Sequence, residues 1–137
     1  MKSYSSFRTL MKVRPDDIDM FQHVHNSKYF DYVLAARYEQ MRDNYGTTME
    51  DYMERGLGWV IRTAHVTYKR PLKMGQEFYV ETGIESIHER GCTVQFKILF
   101  KENEKVSCEG WFEYILIETA TGKLTKMPEE LLEQYAI

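Results

Sequence analysis

Proline is scarce in this chain, and its three copies, Pro15, Pro71 and Pro128, all fall where the hydrophobic pattern changes, so no predicted element is interrupted. Cysteine is scarcer still. Cys92 and Cys108 match no metal-ligand spacing, and the chain carries no secretory context that would favour a disulfide, so packing is the role expected of both. No run of about 18 apolar residues occurs, which excludes a membrane-spanning helix. The opening stretch, MKSYSSFRTLMKVRPDD, lacks an uninterrupted apolar h-region, and an unexported, cytoplasmic protein is expected. An excess of positive charge is missing as well: 18 Lys and Arg stand against 21 Asp and Glu. The net charge of -3 excludes a molecule that holds nucleic acid by neutralising phosphates over its whole surface, so any anionic ligand must meet a local basic patch. Internal repeats and low-complexity tracts are also absent, and 1–137, the length of one ordinary domain, is expected to form a single domain.

What the chain does have is the composition of a globular core, 43% hydrophobic and 14% aromatic against 28% charged residues. Over residues 7–14, Thr9, Met11 and Val13 alternate with Arg8, Leu10, Lys12 and Arg14, which predicts a first strand ended by Pro15. A loop over 16–25 leads to Asn26 or Ser27, either of which can cap a helix, because a short polar side chain accepts a hydrogen bond from a free first-turn N–H. That helix is predicted to run to about Tyr45, with Gly46 as its C-cap. Tyr29, Tyr32, Val33, Ala36 and Gln40 trace one face at helical spacing, and Phe30, Leu34, Tyr38 and Met41 trace another, so burial over most of the circumference is expected. Thr47, Thr48, Met49 and Glu50 make a capping-box pattern that opens a second short helix ending near Gly56.

From Gly58 the period becomes two and stays so through four segments, 59–70, 77–87, 92–101 and 106–118. In the third, Cys92, Val94, Phe96, Ile98 and Phe100 share one face against Thr93, Gln95 and Lys97 on the other. The breaks at 71–75, 89–91 and 102–104 carry turn residues and read as hairpins. Pro128 suits the first position of a short terminal helix, with Glu129 and Glu130 at the positive end of its dipole. The order β-α-β-β-β-β predicts an α+β architecture, an antiparallel sheet of five strands packed on one long helix, with short extra helices. A helix apolar on nearly all sides then requires either a sheet that curls around it or a partner subunit that covers the rest.

The stretch VRPDDIDMFQHVHNSKYFDYVLAAR, residues 13–37, resembles the signature of the 4-hydroxybenzoyl-coenzyme A thioesterase-like family of the hot-dog-fold superfamily. That signature is a strand, then DxDxxGHVNNxxY, then a helix ending in an alanine-arginine pair. Asp17, Asp19, His23, Val24, Asn26, Tyr29, Ala36 and Arg37 carry the match. VTYKRPLKMGQ and MPEEL are similar too, so the resemblance covers nearly the whole chain. Gln22 stands where the family has glycine, which implies a different backbone path or a narrower pocket. His25 replaces the family's first asparagine, and Leu34 and Ala35 replace glutamates that many relatives carry on the helix. The resemblance implies a hot-dog sheet wrapped around a central helix and acyl-CoA thioesterase activity. It implies no cofactor, coenzyme A being part of the substrate. It also implies a homodimer or homotetramer whose sites are built from two subunits.

Thioester hydrolysis needs an activated water or an attacking carboxylate, together with donors for the oxyanion that develops on the carbonyl. A carboxylate in the loop ahead of a helix, facing the free first-turn amides, meets both needs. By resemblance, Asp19 is the general base or nucleophile and the Asn26 amide the oxyanion donor. The alternative for Asp19 is a loop Asx-turn, and Asp17 is read as structural. His23 is expected to fix the loop and His25 to line the pocket. No third ligand at suitable spacing supports a metal site. His65 and His88 are single strand residues with no site role. Lys69, Arg70, Lys73 and Arg90 are the candidates for meeting the phosphates of coenzyme A, and Tyr29, Tyr32 and Val33 for lining the acyl chain. Two alternatives stand beside this reading: a non-catalytic acyl-CoA or acyl-carrier binding module, and hydrolysis of an acyl-carrier-protein thioester. A hot-dog hydratase ranks last because its motif is not evident.

Overall fold

The period-two segments pair into one antiparallel sheet. In the computed structural model, which describes residues 4–137, the elements are β1 (Ser6–Lys12), α1 (Asn26–Asn44), α2 (Met49–Glu54), β2 (Leu57–Tyr68), β3 (Glu77–His88), β4 (Gly91–Phe100), β5 (Val106–Glu118) and α3 (Glu129–Tyr135). The five strands lie in the order β1-β3-β4-β5-β2. β3 with β4 and β4 with β5 are the hairpins expected. The break at 71–75 is not a hairpin. It carries the chain from β2, an edge strand paired with β5, across the sheet to β3, which pairs with β1. Turn residues mark where a chain reverses, but the neighbour of each strand is decided by pairing with distant segments, here Leu57↔Glu118 through Tyr68↔Cys108.

Phe78, Val80, Val94, Ile98, Phe112 and Leu116 point from the sheet to one side and are fully buried, meeting Tyr29, Tyr32, Val33, Ala36 and Met41 of α1. Each such side chain contributes about 1.5–3 kcal/mol on leaving water. A lone helix is marginal in water, so this packing, rather than helix propensity, holds α1 in place. The burial forms a stripe and does not encircle the helix: Asp31, Ala35, Glu39 and Arg42 face solvent, while Phe30, Leu34 and Tyr38 are half-buried. The expected second apolar face is used sideways. Phe30 meets Phe96 and Phe112 edge-on at 6.0 and 5.3 Å, and the Tyr38 hydroxyl donates to Glu50 of α2 at 2.7 Å.

The helix ends follow local chemistry with small shifts of register. Tyr45 is the C-cap of α1, and Gly46, at φ 72°, takes the left-handed position after it, which lets the Thr47 N–H reach the Met41 carbonyl at 3.2 Å. The capping box of α2 is Thr48 with Asp51, one residue later than the Thr47–Glu50 pattern: the Asp51 N–H donates to Thr48 Oγ1 and the Thr48 N–H to Asp51 Oδ2. Pro128 is the N-cap of α3 rather than its first helical residue. Cys92 and Cys108 are buried free thiols, pushed up by burial to about 11 and about 12. Among the described residues no helix is long and apolar enough to cross a membrane.

Candidate active site

The loop between β1 and α1 is tied down before it reaches any cavity. Pro15–Asp17 forms a 3-10 turn, and the buried Asp17 carboxylate accepts the Tyr32 hydroxyl of α1 at 2.7 Å. The Tyr32 oxygen in turn accepts the Arg14 N–H at 3.1 Å, and the Asp17 carbonyl accepts the His25 N–H at 3.0 Å. Burial, with the Asp17 bond adding to it, pushes the Tyr32 phenol up to about 12. These bonds leave Asp17 committed to holding the loop against the helix.

Asp19 is held differently. Its Oδ1 accepts the N–H groups of Phe21 at 2.8 Å and His23 at 3.1 Å, while its Oδ2 makes no hydrogen bond among the described residues. The Asx-turn and an available carboxylate oxygen therefore coexist in one side chain. Burial pushes this carboxyl up, but the two amides outweigh it, aided by the nearby imidazoles of His23 and His25, and the net shift is below the ordinary aspartate value. The loop backbone is closed by Asp19 N–H to His23 O at 2.8 Å and braced on the β2–β3 connection by Met74 N–H to Gln22 O at 3.0 Å. Gln22 has φ 64°, so a glutamine holds the left-handed backbone that a glycine takes freely.

At the start of α1 the N-cap is His25, whose side chain makes no capping bond. Neither Asn26 nor Ser27 caps the helix, contrary to expectation: Asn26 is already helical and its carbonyl accepts the Tyr68 hydroxyl at 2.9 Å. In consequence the Asn26 and Ser27 amides have no acceptor among the described residues, and the positive end of the helix dipole is uncapped.

Asp19, His23, His25, Asn26, Tyr29, Lys69 and Arg70 line one cleft of ≈ 480 Å³. Tyr68 lines it too, and sequence reasoning passed it over. It is 46% exposed and packs edge-on to Tyr29 at 5.3 Å. Its signal was an inward-facing aromatic at the end of a strand, directly before a basic pair. Lys69 is ion-paired with Glu109 at 2.7 Å, and Arg70 Nη1 donates to the Val106 carbonyl at 2.8 Å. Tyr29 accepts the Leu72 N–H at 2.9 Å. Several residues fall elsewhere. Tyr32 and Val33 belong to the core, Lys73 bridges to His23 through the backbone, and Arg90 sits in a separate depression with Arg62 and His88. Asp19, His23 and His25 do not converge as metal ligands, and no group of three His, Cys, Asp or Glu does so among the described residues.

The family model of the thioesterase-like superfamily matches residues 13–135, which takes in the loop, α1 and the whole cleft. This chain belongs to that superfamily. Its sheet wrapped against a long helix is the hot-dog fold that the sequence resemblance implied. Long-chain acyl-CoA thioesterase FadM of Escherichia coli (strain K12) is 19% identical over 127 residues, 93% of this chain and 95% of that protein. An Aquifex aeolicus (strain VF5) protein, whose name goes only as far as a provisional esterase assignment, is 31% identical over 110 residues, 80% of this chain and 82% of that one. Among solved structures, DHNA-CoA thioesterase from Staphylococcus aureus superposes with a TM-score of 0.88 over 96% of this chain and 89% of that chain, at 18% identity. At that identity the likeness is one of fold.

Proposed function

We propose that this member of the superfamily hydrolyses an acyl-coenzyme A thioester to the free acid and coenzyme A. One observation carries the reading: Asp19, with its free Oδ2, and Asn26, with its unpaired first-turn amide, line the same cleft. A thioester carbonyl oxygen set against the Asn26 amide gains a donor where negative charge develops. Asp19 Oδ2 then takes a proton from water as the water attacks the carbonyl carbon, or attacks that carbon itself to give an anhydride that water later opens. In either course the C–S bond breaks and the thiolate takes up the proton that water gives up, relayed by Asp19 in the first course and released when water opens the anhydride in the second. Oδ1, held by two amides, keeps the carboxylate aimed while Oδ2 reacts. Lys69 and Arg70 at the mouth suit an anionic carrier, and no cofactor enters the scheme.

A second copy of the chain belongs to this reading. β2 is a sheet edge, and its residues 62–65 are exposed on both faces, the kind of strand that natural proteins cover. The test is purified protein incubated with a panel of acyl-CoAs, with release of free thiol as the readout and light scattering for assembly. Thiol release on at least one chain length, lost in Asp19→Asn, is expected. No release from any substrate, or an Asp19→Asn variant as active as the parent, overturns the reading. Acyl-CoA bound intact for hours points to a binding module, and a monomer at working concentration removes the second copy.

A further inference from the structure

On the face of the sheet turned away from α1, the exposed apolar side chains Leu10 and Val60 lie on the edge strands β1 and β2, and Trp111 lies between them on β5. Trp111 of β5 is 38% exposed and lies parallel to the His65 ring of β2, centroids 6.1 Å apart and planes 9° apart. The register places His65, Trp111, Gln95 and Gly83 in one row across four strands, so the last position puts no side chain over the sheet. Between the aromatic pair and β3 lies a depression of ≈ 300 Å³, whose polar lining includes Glu85, Gln95 and Lys97. None of these three side chains has a hydrogen-bond or ion-pair partner among the described residues. Glu109 and Thr67 complete its rim on the cleft side. Glu109 is the ion-pair partner of Lys69, which lines the candidate active cleft, so the two cavities meet across one 2.7 Å salt bridge. Along β2 the step from Tyr68 to His65 is about 10 Å at the usual strand rise.

We infer that this depression is a purine subsite, taking the adenine nucleotide of a coenzyme A substrate whose thioester end lies in the Asp19 cleft. It rests on the hydrolase reading above, and it deepens it by choosing coenzyme A over a carrier protein. A flat base needs an aromatic face to stack on, and Trp111 supplies one. An adenine edge offers an amino donor beside ring-nitrogen acceptors. A glutamine side chain matches both groups at once, and a carboxylate such as that of Glu85 accepts from the amino group. Lys97 adds an unpaired ammonium for a phosphate, and Lys69 stands where the arm crosses from one cavity to the other. A carrier protein has no base to place there.

Two measurements test it. Hydrolysis is compared between an acyl-CoA and the same acyl group on pantetheine, which lacks the nucleotide, in the parent, Trp111→Ala and Gln95→Ala. The preference of the parent for acyl-CoA, read as kcat/KM, is expected to fall about tenfold in Trp111→Ala, the scale of one lost base–aromatic stack, and to arise in KM. Separately, adenosine 3′,5′-bisphosphate is titrated against tryptophan fluorescence, with saturable quenching expected in the parent and lost in Trp111→Ala. Equal use of the two thioesters by the parent overturns the inference while leaving the hydrolase reading intact. Tryptophan emission unmoved by the nucleotide also overturns it, and emission that is already shielded in the free protein assigns the face to a second copy of the chain. If neither thioester is cleaved, the hydrolase reading fails, and the fluorescence titration alone still decides the subsite.

Discussion

The two ends of α1 treat polar groups in opposite ways. At its start an oxygen of Asp19 and the backbone amide of Asn26, both residues of the open cleft, have no partner among the described residues. About three turns further, Arg37 is 2% exposed, donates through Nη1 to Thr82 Oγ1 at 3.0 Å and lies 4.8 Å from the centre of the Tyr45 ring; its Nε is buried without a partner, and no carboxylate pairs with it among the described residues. Gln40 is likewise sealed in, donating to Thr9 Oγ1 at 2.9 Å and the Val80 carbonyl at 3.2 Å, and accepting the Thr82 hydroxyl. The Tyr52 hydroxyl donates to that of Tyr135 at 2.5 Å, joining α2 to α3 across the end of the sheet. Partnered and buried polar groups fix how the helices sit on the sheet. Unpartnered ones at an accessible rim are what chemistry can use.

The widest separation of the two ends comes from Asp19→Asn. Asparagine keeps an oxygen for the Phe21 and His23 amides at the same positions, so the unfolding midpoint stays nearly unchanged. Turnover falls about 10²- to 10⁴-fold, the range for a lost general base, in a thiol-release assay. The pH profile of the parent sharpens the point. The Asp19 carboxyl lies below its ordinary value in the fold, so its ionised form is favoured by folding. The associated stability is present above the unfolded pKa and is lost as pH falls through the lower folded one. Activity should therefore hold from neutrality to about pH 5 and decline only below about pH 4, near and under the ordinary aspartate value.

At the sealed end the effects fall on stability. Arg37→Ala removes a large buried side chain and should cost about 2–5 kcal/mol in urea unfolding, with activity per folded molecule little altered. Arg37→Met should recover much of that loss, because a buried charge without a carboxylate partner is replaceable by an apolar chain of similar length. Tyr135→Phe leaves the Tyr52 hydroxyl without its acceptor and should cost about 1–3 kcal/mol by the same measurement. The smallest change belongs to the open end. Gln22→Gly relieves a left-handed residue worth about 1–2 kcal/mol, and the greater freedom of glycine in the unfolded chain offsets about 0.4–1 of it, leaving a gain of roughly 0 to 1.6 kcal/mol in urea unfolding.

Much of this contrast was legible before any coordinates. The alternation along β4 named Val94, Phe96 and Ile98 as one face, and all three are buried. The motif from Asp17 to Tyr29 pointed to the loop ahead of α1, and that loop does border the cleft. The N-cap was misplaced because Asn26 and Ser27 are good capping residues by type, while the Tyr68 hydroxyl, 42 residues away, engages the Asn26 carbonyl. Arg90 was grouped with Lys69 and Arg70 by charge alone, yet it follows β3 at the opposite end of the pairing and lines another depression.

Local pattern by itself determined where strands and helices lie, which faces turn inward and which loop holds the carboxylate, since each depends on residues a few positions apart. Tertiary structure alone decided that β2 crosses to β3 instead of turning back on it, that Tyr68 walls the cleft, and that Arg37 is shut in with no acid paired to it among the described residues. Those outcomes depend on contacts between segments far apart in the chain, and such contacts are selected by the packing of the whole sheet against α1 rather than by any short run of residues.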